Sequence, residues 1–107
     1  MKSPESSGKP KRPRLRLFII RRVSGASMLP SLMPGQVVIG VRRPKRLRPG
    51  QIVIISHDGL EKVKRIQGMR SNQVFVQGDN RAKSTDSRSF GWLPAAAVQA
   101  RVIWPRR

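Results

Sequence analysis

Two stretches of the sequence, LMPGQVVI at residues 32–39 and LRPGQIVI at residues 47–54, share the pattern Leu-x-Pro-Gly-Gln-[Val/Ile]-Val-Ile. Proline at the second position of a turn fixes φ and glycine at the third accepts a positive φ, so each Pro-Gly pair predicts a type II turn. The β-branched residues that follow predict a strand. This turn-plus-strand unit, used twice, indicates a domain built from short strands.

Further strand-like segments lie on both sides of this repeat. HDGLE (57–61) and MRSNQ (69–73) predict hairpin turns between them, and PAAAV (94–98) predicts one short helical turn. No segment shows a sustained 3.6-residue period. We therefore predict an all-β, mainly antiparallel fold with little helix. The predicted strands are LFIIRRV (17–23), QVVIGV (36–41), QIVIIS (51–56), EKVKRIQ (61–67), QVFVQ (73–77) and AVQARVIW (97–104).

Composition limits the chemistry that the chain can perform. The 107 residues contain no cysteine and one histidine, which excludes disulfides, thiolate sites, cysteine catalysis and multi-histidine metal sites. This poor ligand inventory agrees with our expectation of a protein without a metal, cofactor or small-molecule ligand. Lys and Arg number 23 against 5 acids, a net charge of +18 that favours contact with nucleic acid, anionic lipid or acidic protein. The apolar run LFII (17–20) is too short for a membrane span or a signal peptide. We therefore expect a cytoplasmic protein, peripheral to a membrane at most.

Residues 1–16 differ in composition from the rest of the chain. They hold three prolines, three serines and six basic residues, which is typical of a disordered basic arm preceding a folded domain of residues 17–107. Such an arm could contact an anionic membrane or nucleic acid weakly, although a solubilising tail is the commoner role.

Ser27, in SGASMLPSLMPG (24–35), is a candidate nucleophile that needs a base. His57 and Asp58 are adjacent in a predicted turn, where the acid cannot readily reach the far ring nitrogen, so a Ser-His-Asp relay is disfavoured. A lysine serves as base only when it is neutral, and burial favours the neutral form. Lys62 and Lys64 share one strand face with Ile66, as a buried amine requires, but in a chain with 23 basic residues this pattern alone favours solvated lysines.

The segment GDNRAKSTDSRSFG (78–91) carries two of the five acids of the chain. Its Gly, Asp, Asn and Ser content is typical of a tight loop, in which short polar side chains bond the backbone. Asp86 and Arg88 can form an ion pair that fixes this loop.

Taken together, these segments resemble the type I signal peptidase family of serine–lysine proteases across residues 24–104. GASMLPSLMPGQVV resembles the nucleophile motif and VKRI the lysine motif, while residues 78–91 match G-D-N-x-x-x-S-x-D-S-R-x-x-G. The resemblance implies a signal peptidase-like or LexA-like β fold, with Ser27 as nucleophile and Lys64, in preference to Lys62, as general base. It also implies that Ser84 orients the lysine amine.

The resemblance assigns supporting roles to further residues. The N–H of Ser27 is expected to donate to the oxyanion, whereas Gly25 stands where some members carry a second, side-chain donor. Met28 is expected to line the substrate cleft, although an isolated methionine is more often core. The residues expected to support the site are Asp79 and Asn80, in the turn of the loop, and Asp86 and Arg88, as its ion pair.

The short chain and the loop ending STDSRSFG most resemble the nickel-type superoxide dismutase maturation proteases. This predicts a Ser/Lys endopeptidase that removes a leader or pro-segment from a protein substrate, the nickel superoxide dismutase precursor. One alternative is a membrane-surface, signal peptidase-like protease of secreted proteins. The other is a LexA-type regulatory or nucleic-acid-binding module.

Overall fold

The computed structural model describes residues 17–107. Seven strands form one antiparallel sheet in the order β1-β2-β7-β3-β4-β5-β6. The predicted all-β, mainly antiparallel class with little helix is therefore confirmed, while the predicted arm lies outside the described residues. The strands are β1 (Phe18–Arg22), β2 (Val37–Arg42), β3 (Ile52–His57), β4 (Leu60–Arg70), β5 (Gln73–Gln77), β6 (Leu93–Pro94) and β7 (Val98–Trp104).

The two Pro-Gly turns lead into β2 and β3 as the repeated pattern predicts. Gly35 and Gly50 have φ of 84° and 94°, values that a residue with a Cβ rarely adopts. In each turn the following glutamine donates its N–H to the carbonyl three residues back, at 3.0 Å from Gln36 and 3.3 Å from Gln51. Gln36 Oε1 in turn accepts the N–H of Met33, and Gln51 Oε1 accepts the N–H of Arg48, each at 2.9 Å. The shared glutamine therefore closes both turns in the same way.

Some short elements differ from the sequence expectation. The predicted helical turn at 94–98 is a 3₁₀ helix at Ala95–Ala97, and it follows the two-residue strand β6, which was not predicted. A four-residue helix, α1 (Ser87–Phe90), interrupts the polar loop. β6 and α1, with two and four residues, are too short to produce a detectable period in the sequence.

The core consists of two clusters of buried side chains. The first contains residues of β1, β2, β3 and β7 together with three from the segment after β1: Ile19, Val23, Met28, Leu32, Val38, Ile52, Ile54 and Ala100. The second lies among β3, β4, β5, β6 and β7: Val53, Ile55, Ile66, Val74, Val76, Leu93 and Val98. No helix within residues 17–107 has the length and apolar character needed to cross a bilayer.

Met28 and Leu32 anchor the segment that carries Ser27 onto the sheet. Both side chains are completely buried in the first cluster, and burial of each contributes about 1.5–3 kcal/mol to stability. The prediction that Met28 lines a substrate cleft is therefore wrong for this fold, because its side chain points into the core. Its role is to fix the position of the neighbouring Ser27.

The first half of β4 has one edge without a strand partner in the described chain. β4 pairs with β3 through residues 60–65, but with β5 only through residues 65–70. The backbone of residues 60–64 therefore presents a free strand edge, and this edge forms one wall of the candidate site.

Candidate active site

Ser27 and Lys64 line the same surface groove, which has a volume of about 540 Å³. One wall is the segment at residues 21–27 and the other is the free edge of β4 at residues 60–64, with Lys83 and Thr85 also contributing. Residues that lie 37 positions apart in the sequence thus meet at one site. His57 is not among the residues of the described chain that line the groove, and its ring instead stacks on Phe90 at 4.0 Å.

The environment of Lys64 favours a neutral amine. Its side chain is on the buried face of β4, and the residue is only 3% exposed. Burial is the main cause that lowers the pKa of Lys64; the charges of Lys62 and Arg88 lower it further, while Asp86 opposes the shift. Lys62 is half-buried, with its ammonium 5.3 Å from the centre of the Phe90 ring. Burial therefore distinguishes two lysines that the sequence pattern placed on the same face.

A chain of hydrogen bonds positions the amine of Lys64. Its Nζ donates to Ser84 Oγ at 2.8 Å, and Ser84 Oγ donates to Asp86 Oδ2 at 2.8 Å. The N–H of Gly78 donates to Ser84 Oγ at 3.1 Å. Because these three bonds leave the Ser84 hydroxyl little rotational freedom, the lysine amine has a fixed acceptor.

Asp86 is the completely buried centre of the polar loop. Arg88 binds both of its oxygens, with Nε 2.9 Å from Oδ1 and Nη2 3.0 Å from Oδ2, so the expected ion pair is present. Its oxygens also accept the N–H groups of Gly78 at 3.0 Å and Arg88 at 3.1 Å, and the second of these bonds caps α1. Burial alone would raise the pKa of Asp86, but Arg88, Gly78 and Ser84 together hold that pKa well below its usual range.

Asn80 ties the polar loop to the segment that carries Ser27. Its backbone N–H donates to the Ser27 carbonyl at 2.8 Å, and its side-chain Nδ2 donates to the Ala26 carbonyl at 3.0 Å. The sequence placed Asn80 in a turn within its own loop. The structure adds contacts across 53 and 54 positions of sequence that hold the predicted nucleophile beside Ser84.

Asp79 makes a second long-range connection, through partners that sequence reasoning missed. Arg65 binds it through both oxygens, at 2.9 and 2.8 Å, and the Ser31 hydroxyl also donates to it. Arg65 lowers the pKa of Asp79 and Ser31 adds to that effect, while partial burial opposes it. Arg65 is the arginine of the VKRI segment. The motif therefore included this arginine, but it does not reveal that the binding partner of Arg65 is Asp79.

Gly78 lies where the Ser27 segment and the polar loop come closest. A Cβ built on this residue would lie 2.6 Å from the Ser27 carbonyl oxygen and 2.7 Å from Ser84 Cβ, and nearer still to Ser84 Oγ. Real Cβ atoms do not approach so closely, so the contact between the two segments requires a glycine here.

Gly25 lies exposed on the wall of the groove with φ of 78°. A Cβ there would meet no atom within 4 Å, so space permits a side chain but the backbone conformation disfavours one. Any oxyanion donor from this position is consequently a main-chain group.

Comparison with known proteins identifies relatives among proteases. The model of the Peptidase S24-like family matches residues 12–101. The chain is 31% identical to "Mitochondrial ATP-independent inner membrane protease subunit 1b" of Arabidopsis thaliana, over 75% of this chain and 64% of that protein. It is 29% identical to "Mitochondrial inner membrane protease subunit 1" of Schizosaccharomyces pombe, over 83% of this chain and 75% of that protein. The chain thus spans less than two thirds of the length of the first of these relatives.

These relatives overturn the predicted location. Both are named for the mitochondrial inner membrane, so the expectation of a cytoplasmic protein is wrong. That expectation was drawn from an apolar run, LFII, that is too short for a membrane span or a signal peptide, and such a run does not specify a compartment.

Proposed function

Because the chain belongs to the Peptidase S24-like family, we propose that it is a serine–lysine endopeptidase that removes a leader or pro-segment from protein substrates at a membrane surface. One observation carries the proposal. Buried Lys64, held by Ser84 and Asp86, lines the same groove as Ser27.

In the proposed reaction, Ser27 Oγ attacks the scissile carbonyl while the neutral amine of Lys64 takes the hydroxyl proton. The C–N bond then breaks, and Lys64 returns that proton to the leaving amine, which gives an acyl-enzyme. Lys64 next activates a water molecule that hydrolyses the ester and regenerates Ser27. The N–H of Ser27 donates to the oxyanion in both steps. The lowered pKa of Lys64 suits this role because a larger fraction of the amine is neutral near pH 7.

The free edge of β4 supplies a binding mode for an unfolded leader segment. An extended peptide in the groove would pair its backbone with residues 60–64, as an added strand does, and would face residues 21–26 on its other side. A peptide bound in this way would have its scissile bond where Ser27 lines the groove. It favours substrates whose cleavage segment is extended.

The membrane surface enters the proposal from the two relatives, whose names place them at an inner membrane. They favour the reading of a membrane-surface protease over that of a protease specific for the nickel superoxide dismutase precursor. Neither relative's name refers to superoxide dismutase. The narrower substrate therefore stays a prediction, which incubation of that precursor with the protein would test. The LexA-type alternative gains no support from the geometry of the site.

Two variants test the dyad directly. We expect Ser27→Ala and Lys64→Ala each to lose at least roughly 1,000-fold in kcat on a soluble leader-bearing peptide, since members of a catalytic unit fail individually. Lys62→Ala is the matched control on the same strand face and should retain most activity when it is assayed at a pH where the parent profile is flat. Parent-like cleavage by either dyad variant would refute the mechanism, and loss confined to Lys62→Ala would move the base to that residue.

A further inference from the structure

The segment between β2 and β3 concentrates positive charge. Its residues 42–48, RRPKRLR, hold five cations in seven positions, and all five are exposed. None of the five takes part in an ion pair within the part of the chain that the structure describes, where three of the four acids pair with arginines outside this segment. Like charges held this close repel one another, so the segment suits an anionic partner. We call residues 42–48 the basic loop.

The basic loop is fixed to the domain at several points. Leu47 packs against the second core cluster, and Pro44 is half-buried. The N–H of Arg48 donates to Gln51 Oε1 at 2.9 Å, and Gln51 Nε2 donates to the Arg46 carbonyl at 3.4 Å. Because these contacts hold the backbone of the loop in place, a partner meets its cations without first having to order the loop.

The basic loop forms one wall of a cleft of about 440 Å³, and the hairpin between β4 and β5 contributes to the opposite wall. Three cations of the loop line this cleft: Lys45, Arg46 and Arg48. Three apolar residues line it as well: Pro44, Leu47 and Met69. Its lining within residues 17–107 includes no acid, and none of the lining residues belongs to the groove that contains Ser27. We call this second concave surface the loop cleft.

The lining of the loop cleft selects an acidic peptide segment that carries a hydrophobic side chain. Arginine binds a carboxylate through two parallel hydrogen bonds, and an apolar wall beside it suits an aliphatic or aromatic side chain. A sugar–phosphate backbone would neutralise the cations but would leave Leu47 and Met69 uncovered. Residues 1–16 of the same chain do not match, because they hold six basic residues and one acid. A second copy of the chain, with net charge +18, would bring like charges together.

We infer that the loop cleft is a protein-binding site for an acidic segment of a partner protein, in which aspartate or glutamate residues flank one large apolar residue. Because the loop cleft and the groove share no lining residue, a segment bound in the cleft does not occupy the groove. The inference goes beyond the proposed function and does not depend on it, since it concerns binding and not cleavage.

Fluorescence anisotropy of a labelled probe tests the charged wall. The probe is a short peptide of aspartate and glutamate with one central leucine, and the protein is full-length Ser27→Ala, so that the probe is not cleaved. We expect saturable binding that weakens roughly fivefold or more when Lys45→Gln and Arg46→Gln are combined. Lys83→Gln with Arg106→Gln is the matched control, because both residues are exposed and lie outside the loop cleft, Lys83 in the groove. Absence of saturable binding, or equal weakening by the two pairs, would overturn the inference.

A second probe, in which serine replaces the leucine, tests the apolar wall. We expect Ser27→Ala to bind it roughly threefold or more weakly than the leucine probe, because less apolar surface is buried. Adding Met69→Ser should weaken binding of the leucine probe alone, whereas Met33→Ser, at a residue 60% exposed and outside the loop cleft, should weaken neither. Equal affinity for the two probes would overturn the inference. A single-stranded DNA oligonucleotide of the same charge that binds as tightly as the leucine probe would overturn it in favour of a nucleic acid.

Discussion

A single added methyl group at Gly78 probes the contact that assembles the site. In Gly78→Ala the new Cβ would lie 2.6 Å from the Ser27 carbonyl oxygen, whereas ordinary contact begins near 3.4 Å and the tightest real contacts near 3.0 Å. The difference, 3.0 − 2.6 = 0.4 Å to 3.4 − 2.6 = 0.8 Å, is the distance by which the Ser27 backbone must withdraw. Ser84 must also move, because its Cβ would lie 2.7 Å away. The substitution therefore displaces both Ser27, the proposed nucleophile, and Ser84, the residue proposed to orient the base.

The size of this displacement sets the expected loss of activity. A misplacement of about 1 Å in a catalytic group costs roughly 100-fold in rate. A shift of 0.4–0.8 Å should accordingly lower kcat by about 10- to 100-fold, with a smaller change in KM. Overpacking of this kind also costs about 1–3 kcal/mol of unfolding free energy. For a domain of this size, each kcal/mol corresponds to a Tm decrease of about 4–8 °C.

Peptide cleavage below the Tm of the variant, together with thermal unfolding, measures both effects. Gly68→Ala is the matched control, since Gly68 also lies in or beside a strand of the same sheet and its added Cβ would be 3.6 Å from Trp92, an ordinary contact. We expect the control to retain parent activity within about twofold, as its change is only a surface methyl group. If Gly78→Ala cleaves within threefold of the parent while remaining folded, the proposed proximity of the Ser27 segment and Ser84 during catalysis is wrong.

Three further predictions follow from the charges of the site. The kcat/KM profile should rise with pH as Lys64 loses its proton. Because the Lys62 charge lowers the pKa of Lys64, Lys62→Gln should shift that rise to higher pH. A profile of Lys62→Gln that coincides with that of the parent would contradict this prediction. Asp86 has a lowered pKa, so its contribution to unfolding free energy is present above about pH 3.9 and is lost on acidification below it. Denaturant titrations should therefore show the parent losing its stability advantage over Asp86→Asn as the pH falls below about 4, and a constant difference would refute the assignment. Glu61→Gln removes the exposed ion pair between Glu61 and Arg21, in which Arg21 Nε lies 2.6 Å from Glu61 Oε1 across the groove. The substitution should change KM for peptides. Because exposed ion pairs contribute little to stability, it should alter the free energy of unfolding by less than about 1 kcal/mol.

Local sequence was sufficient for every strand except the two-residue β6, and for the turns between them, because β-branched runs and Pro-Gly pairs act within a few residues. It was insufficient for contacts such as Arg65 with Asp79, since 16 of the 107 residues are arginine and proximity in the sequence does not select among them. It also misplaced Met28, because a motif gives the order of residues and not the direction in which a side chain points in a loop. Residue chemistry was sufficient to nominate Ser27 and the two lysines, but the preference for Lys64 and the role of Ser84 came only from the resemblance. The contacts of Gly78 and Asn80 that bring these segments together are long-range.

The strongly positive charge of the chain is compatible with a lysine base, and the arginine beside Asp86 explains why. Asp86 accepts a hydrogen bond from Ser84, but as an anion it also raises the pKa of Lys64 and so favours the ammonium form, which cannot act as the proposed base. Arg88 binds both oxygens of Asp86, and its own charge lowers the pKa of Lys64. The ion pair thereby keeps the hydrogen-bonding geometry that the carboxylate provides while offsetting its electrostatic effect on the amine. If Lys64 is the base, as proposed, the site depends on both members of the ion pair. Asp86 fixes the hydrogen-bond geometry of Ser84, and Arg88 opposes the rise that Asp86 causes in the pKa of Lys64.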